Sequence, residues 1–547
     1  TPMSIAQRFR ALCISGQGTF GTVFTARDSQ RDDAFVALKK YRAAEDGDNA
    51  EGLAVDVVRE VNCLRACRSS PAALQLHEVI VDGHDVYLIL CGMRCNLRQE
   101  LRRHGSFDYE RTAATMQQLS AGVAWLHSIG FMHRDMKPQN CLVDEDGSVK
   151  IGDYGTAQII RAGRCNTTGM TTAWYSAPEL LLGSTAYDGR VDVWALGCMH
   201  AELRLGGALF DGDGSEYDQL RRIFQRFGTP AADSWAHEMP AWGGGAQFPS
   251  FGARASAVLH DGDGAEERVL AAQLAPNPAN RARAEEVHQA YALNARCGGT
   301  WAAVVAAAPM PVPVSFPLGA PIDAWPPAQL DIDSRMRTIV VAWMLELTTQ
   351  LRFSLFSFHL AISILDAHLL RAPVLRTRLQ LAGLAALVLA VKIEEGNAIT
   401  IRAASMADMC AGAYNALELL AYEQQLVCEM AAFSLFPEAM LYHRLAAKLG
   451  DGDAPQRTEV LYLCTLALHD FHYASFALHE LTETVWRMAH AVETVDDGAH
   501  HQFVIDPHHP CSCFIADAHA RTRRCESLGR GLDVAFKVRA RFAIALD

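Results

Sequence analysis

Residues 133–140 read HRDMKPQN, and DYG (153–155) and APE (177–179) follow at short intervals. Each fragment is common in isolation, so the order and the gaps carry the information. Upstream, GQGTFGTV (16–23) has the pattern G-x-G-x-x-G-x-V. Glycine at 16, 18 and 21 lets backbone N–H groups close over phosphates without Cβ clashes. Alone, the pattern reads equally as a glycine turn or a dinucleotide fingerprint. The latter needs a following helix, and strand-like VFTA (23–26) follows instead. VALK (36–39) then places Lys39 in an apolar strand. A lysine there ordinarily snorkels at an edge; it becomes interesting when a carboxylate meets it.

The patterning predicts a strand, a glycine turn and two further strands over 12–41. A helix follows over 51–66, a strand over 85–90, and helices near 97–104 and 108–128. A mostly helical stretch then runs to about 295. Residues 311–327, PVPVSFPLGAPIDAWPP, hold six prolines in seventeen positions. That is linker chemistry, stiff and unable to pack as helix or sheet. From 333 onward nearly everything has a helical pattern.

A chain of 547 residues predicts three or four folding units. A net charge of −13 argues against nucleic-acid binding by phosphate neutralisation. Fifteen cysteines without paired spacing fit a reducing compartment. The expected location is cytoplasmic or nuclear, with no signal peptide and no convincing basic import signal. LQLAGLAALVLAVKIEE (379–395) is too short for a bilayer, which needs ~20 apolar residues, and it carries Gln380. A buried helix is expected there, with no membrane partner.

Taken together, the five motifs resemble the protein-kinase signature set, over about residues 10–295. The resemblance implies an α+β bilobal kinase fold over 1–296, with an N-lobe over 1–91, a C-lobe over 94–296, and ATP between them. Phosphoryl transfer is mostly positioning and charge neutralisation. Lys39 would hold the α/β-phosphates, Asp153 and Asn140 would carry Mg²⁺, Asp135 would accept the substrate hydroxyl's proton, and Lys137 would steady the γ-phosphate. Gly16, Gly18 and Gly21 would cover the phosphates. The adenine would sit on backbone near Cys91–Met93, after Leu90 as the residue guarding the back pocket, sandwiched by Val23, Ala37 and Leu142. Glu179 would pair with Arg281. Lys137 favours Ser/Thr over Tyr substrates.

Residues 51–64, EGLAVDVVREVNCL, form a helix that is apolar on two sides, which calls for two partners. The stretch resembles the regulatory helix of cyclin-dependent kinases, with AVDVVRE in place of the family's PSTAIRE. Glu60 would swing in to pair with Lys39. ALFDGDGSEYDQLRRIFQRFGTP (208–230) matches a long stretch of that family and could hold a small cell-cycle adaptor protein. Departures stand beside the matches. Thr167 falls where an activating phosphothreonine is expected, and Arg59 and Arg134 would hold its phosphate. The third arginine of that pocket is Gln158 here. Phe20 replaces the tyrosine of an inhibitory pair with Thr19. Ser176 replaces an arginine that shapes the pocket for a proline after the target residue.

In the second half, MRTIVVAWMLEL (336–347), SILDAHLL (363–370), the 379–395 run and LELLAYEQQLV (417–427) resemble, in succession, a cyclin box. The expected architecture is a Pro-rich linker over 297–328, an all-α cyclin box over 329–436, and a weaker second helical bundle over 437–547. The resemblance implies a buried Arg337–Asp366 pair. It also implies that Lys392 and Glu423 bond backbone at the start of the kinase's regulatory helix, an intramolecular kinase–cyclin contact. Met336, Val340, Trp343, Glu346 and Gln380 would form a shallow groove for substrate docking peptides, or else simply be core. His500, His501, His508, His509, Cys511 and Cys513 cluster late in the chain, but their spacing fits no standard zinc site. The function implied is a Ser/Thr protein kinase using Mg·ATP on protein substrates, switched on in cis by its own cyclin half. A catalytically weak scaffold or decoy is the alternative, and exchange of cyclin halves between chains a third.

Overall fold

The computed structural model describes residues 5–18, 21–42, 52–82, 85–160, 173–231, 235–236, 239–240, 248–252, 258–259, 264–295, 331–396, 399, 401–430, 464–465, 484–485, 492–494, 501–503 and 542–544. The chain divides into two compact units. One comprises residues 1–42 and 59–313, the other residues 43–58 and 314–547.

The first unit opens with strands β1 (Phe9–Gly18), β2 (Gly21–Asp28) and β3 (Ala34–Arg42), followed later by β4 (Leu76–Asp82) and β5 (Asp85–Cys91). They form one antiparallel sheet in the order β1-β2-β3-β5-β4. Alternation along β3 decides what each face does. Val36 and Leu38 point into a core with Ile5, Phe9, Ala26 and Ile89. Ala37, Lys39 and Tyr41 fall on the opposite face.

Helix α1 spans Val55–Ala66, so it begins later than the sequence pattern suggests. Gly52, at φ +76°, takes a left-handed conformation that a helix interior does not use. The expected two-sided apolar character is real: Val57, Val58, Val61, Cys63 and Leu64 are all buried. The first turn of α1, through Val58, belongs to the second unit and the remainder to the first.

The helical part of the first unit contains α2 (Leu97–His104), α3 (Tyr109–Ser128), α4 (Arg190–Leu205), α5 (Glu216–Phe227), α6 (Gly264–Gln273) and α7 (Ala284–Ala295). Asn96 starts α2 with a capping box and Asp108 caps α3. Helix α4 is buried from Val191 to Leu203, as a central helix packed against α3 and α6 must be. Short strands at Cys141–Val143 and Val149–Ile151 flank the loops carrying HRDMKPQN and DYG.

The second unit contains α8 (Ser334–Gln350), α9 (Leu355–Leu369), α10 (Leu379–Glu394), α11 (Ala403–Asp408) and α12 (Ala416–Met430). Asp333 and Ser354 cap α8 and α9 through side-chain oxygens. Helix α10, the apolar run, packs against α8, α9 and α12, and only Gln380 along it escapes full burial. Among the described residues no helix is long and apolar enough to cross a membrane. The backbones of α8 and α10 approach closely at Gly383, where a Cβ would lie 2.7 Å from Val340 Cγ1. Arg337 Nε and Nη2 bond Asp366 Oδ1 and Oδ2 at 2.7 and 2.8 Å, tying α8 to α9.

The expected second helical bundle lies largely outside the described residues, as does the linker. Where 437–547 is described, Cys464–Thr465 and Thr484–Val485 are helical. Val492–Thr494, His501–Phe503 and Phe542–Ile544 instead pair as a three-stranded sheet, a local departure from the all-helical expectation. Of the late His/Cys group only His501 is described.

Candidate active site

Lys39 and Glu60 meet because β3 and α1 present them to the same space. Lys39 Nζ lies 3.0 and 2.8 Å from the two Glu60 oxygens, with both side chains buried. The same ammonium lies 2.6 Å from Asp153 Oδ1. Asp153 sits at φ +61°, a left-handed conformation that turns its carboxylate toward the lysine. Burial disfavours the charged form of the Glu60 carboxyl and pushes it up, against the pull of Lys39. For Asp153 burial also opposes ionisation, but Lys39 outweighs it and the carboxyl is held below its ordinary range. Tyr41 joins the cluster by donating its hydroxyl hydrogen bond to Glu60 Oε2.

Asp135 stands in a separate set of bonds. Lys137 Nζ is 2.7 Å from its Oδ2, and Asn140 Nδ2 donates to its carbonyl at 2.8 Å and to Oδ2 at 3.1 Å. The loop itself hangs on Asp192 of α4, whose two oxygens accept the backbone N–H groups of His133 and Arg134 at 2.8 Å each. Arg134 occupies φ +68°, and these bonds hold that conformation in place. Burial works against the Asp192 charge, yet bonding to His127 and the nearby histidines keep its carboxyl low.

A cavity of about 360 Å³ opens beside these groups. Gly21, Val23, Ala37, Lys39, Leu90, Cys91, Met93 and Leu142 line it, along with Asn140 and Asp153. Gly16 and Gly18 lie in β1 opposite Val23 and Gly21 but outside that lining. Glu60 lines it as well, as do Leu74 and Gln139, which were not singled out in the sequence. The donor set is oxygen-rich: the Asp153 carboxylate and the Asn140 amide suit Mg²⁺, and the apolar walls suit a purine.

Glu179 and Arg281 form a buried two-bond pair at 2.6 and 2.9 Å. Arg59 and Arg134 are both buried; Arg134 Nε reaches Thr156 O at 2.8 Å. Thr167, Thr19 and Phe20 lie outside the described residues. Gln158 is buried in a short strand opposite Met132.

In the second unit Lys392 and Glu423 are buried and paired with each other. Glu423 Oε2 accepts the backbone N–H of Leu53 at 3.4 Å. A Cβ on Gly52 would lie 2.1 Å from that same oxygen and 3.0 Å from Lys392 Nζ. Met336, Trp343, Glu346 and Gln380 are half-buried along one face of α8 and the start of α10, whereas Val340 is buried against Gly383. Val340 is thus part of the seam between the helices rather than an open groove wall.

Two residues of the site lacked any motif. Asp192 is remote in sequence, and no local pattern marks it. Tyr41 had a usable signal: it lies two residues after Lys39 in a strand and therefore on the same face.

The protein kinase domain model matches residues 9–291, and the cyclin N-terminal domain model matches residues 321–432. The chain is 36% identical over 236 residues to "Cyclin-dependent kinase D-1" of Arabidopsis thaliana, covering 43% of this chain and 58% of that protein. It thus spans little more than half of that relative. It is 37% identical over 254 residues to "Cyclin-dependent kinase 1" of Encephalitozoon cuniculi, covering 44% of this chain and 83% of the other. It is also 37% identical over 289 residues to "Cell division control protein 2 homolog 3" of Trypanosoma brucei brucei, covering 52% and 90%.

Proposed function

We propose, from the premise that this chain belongs to the cyclin-dependent protein kinases, that it transfers the γ-phosphate of ATP to Ser or Thr of protein substrates. Asp135 would take the hydroxyl proton, with Lys137 beside it to steady the phosphate. Lys39 would turn from Asp153 to the α/β-phosphates, and Glu60 would keep it in reach. Asp153 and Asn140 would hold Mg²⁺. The metal supplies charge neutralisation on the phosphates; the residues supply positioning.

Activation in cis is part of the same proposal. One observation carries it: the segment leading into α1 is packed within the unit that holds the cyclin-type helices, with Leu53 N–H on Glu423. The helix that starts there ends by presenting Glu60 to Lys39. A tethered cyclin replaces bimolecular assembly with an effective concentration on the order of mM. Thr167 phosphorylation would matter less than in relatives, since Gln158 offers no charge-assisted bond to a phosphate. Substrate docking at the α8 face and an adaptor at 208–230 complete the reading, and a role in cell-cycle or transcriptional control goes with it.

The purified chain is expected to phosphorylate a histone substrate with no added cyclin, and Asp153→Ala to be silent. Strong stimulation by an exogenous cyclin would remove the cis element. Equal signals from wild type and Asp153→Ala would remove the kinase itself.

A further inference from the structure

We propose that Tyr41 is a positioning residue for the nucleotide site, acting through Glu60. The inference rests on the kinase reading above. It starts from the pleat of β3, which puts residues 39 and 41 on one face. Both are buried. The Tyr41 hydroxyl donates to Glu60 Oε2, the same oxygen that Lys39 Nζ approaches at 2.8 Å. The ammonium also lies 5.2 Å from the Tyr41 ring centroid, within cation–π range.

Lys39 is shared between two carboxylates, Glu60 and Asp153, and must also serve phosphates. A buried carboxylate with one donor is costly whenever that donor turns away. The phenol is a second donor that does not leave. Burial keeps it protonated, since its ionisation is pushed far above the ordinary tyrosine range. Glu60 therefore stays seated while Lys39 moves between partners. None of the five motifs includes position 41, and a phenylalanine there would fill nearly the same space without bonding Glu60.

The test measures the dissociation constant of a non-hydrolysable Mg·ATP analogue by calorimetry on the full chain. Tyr41→Phe keeps the ring and removes the hydroxyl, and the dissociation constant is expected to rise about tenfold, the weight of one charge-assisted bond. In a Glu60→Ala background the same change is expected to move it less than twofold. An unchanged constant in Tyr41→Phe would mean that only the ring matters, and the proposal fails. A tenfold rise persisting in Glu60→Ala would mean that the hydroxyl acts elsewhere, and it fails again. Should Tyr41→Phe melt below the assay temperature, the same titrations are run below its melting midpoint under the same criteria. Turnover by wild type is measured in parallel. Its absence would count against the kinase reading, whereas the analogue titration reads the hydroxyl without turnover.

Discussion

Two buried ion pairs in this chain use the same chemistry for opposite purposes. Arg337 and Asp366 join α8 to α9 through two parallel bonds, with the guanidinium wholly enclosed. Lys39 has a flexible stem and one ammonium, split between Glu60 and Asp153, and the Asp153 side chain keeps 29% of its surface exposed. The planar fork of arginine suits a lock, and the point charge of lysine suits exchange. Partner exchange needs solvent or ligand access, and that access is what distinguishes the second pair.

The largest effect should come from the side of the cleft that does chemistry. Asp135→Asn keeps the shape of the loop and removes the carboxylate proposed as the base. Transfer in a radiolabelled-ATP assay should fall about 10²–10⁴-fold with the melting curve unchanged. Persistent phosphorylation would displace Asp135 from that role. Arg337→Ala should act on stability alone, because it strands a buried carboxylate. The cost should be about 3–5 kcal/mol in urea unfolding of the cyclin-type unit, and a loss below 1 kcal/mol would mean the pair is no lock.

Between these extremes sits the latch at Leu53. Gly52→Ala adds a Cβ that collides with Glu423 and forces a left-handed non-glycine residue, at about 1–2 kcal/mol. Gly52→Ala and Glu423→Ala, each alone, should lower kcat roughly tenfold while leaving the affinity for the nucleotide analogue within a few-fold. A kcat equal to wild type in both variants would uncouple the latch from activity.

The smallest effect belongs to a half-buried surface cluster on α5. Asp218 bonds Arg222 and Arg221, and those bonds hold its carboxyl at about 2. A depressed carboxylate contributes stability that is complete above its unfolded pKa and lost as pH falls through the folded one. The window therefore runs from about pH 4 down to about 2. Asp218→Asn should flatten that part of the melting-versus-pH curve by only about 1–2 °C, and less in high salt. A larger shift would show that this surface cluster holds as strongly as the enclosed pairs.

The kinase cleft was legible because its chemistry is written in short local motifs. Lys39, Asp135, Asn140 and Asp153 each sit in a short fragment that is common alone, and the order and gaps of the fragments identify them. The cyclin-type ion pairs were legible only through resemblance, since Arg337 and Asp366 are 29 positions apart with nothing local joining them. The start of α1 was misplaced because periodicity ignores the φ of Gly52. For Val340 the resemblance left groove wall and core both open, and packing against Gly383 decides for core. The strands near 492–503 and 542–544 were missed for the reason that short β segments far apart in sequence acquire their pairing from partners, not from propensity.

By itself the sequence determined the order and spacing of five short motifs, and through their resemblance to the kinase signature set it pointed to Lys39, Asp135, Asn140 and Asp153 as candidates. It also determined that α10 would be core, because a run so apolar has nowhere else to go. Only the tertiary structure decided that Lys39 is held by Asp153 as well as Glu60, that Tyr41 reaches Glu60, and that Asp192 suspends the catalytic loop. Those are contacts between segments brought together by packing, and distance in space leaves no mark on distance along the chain.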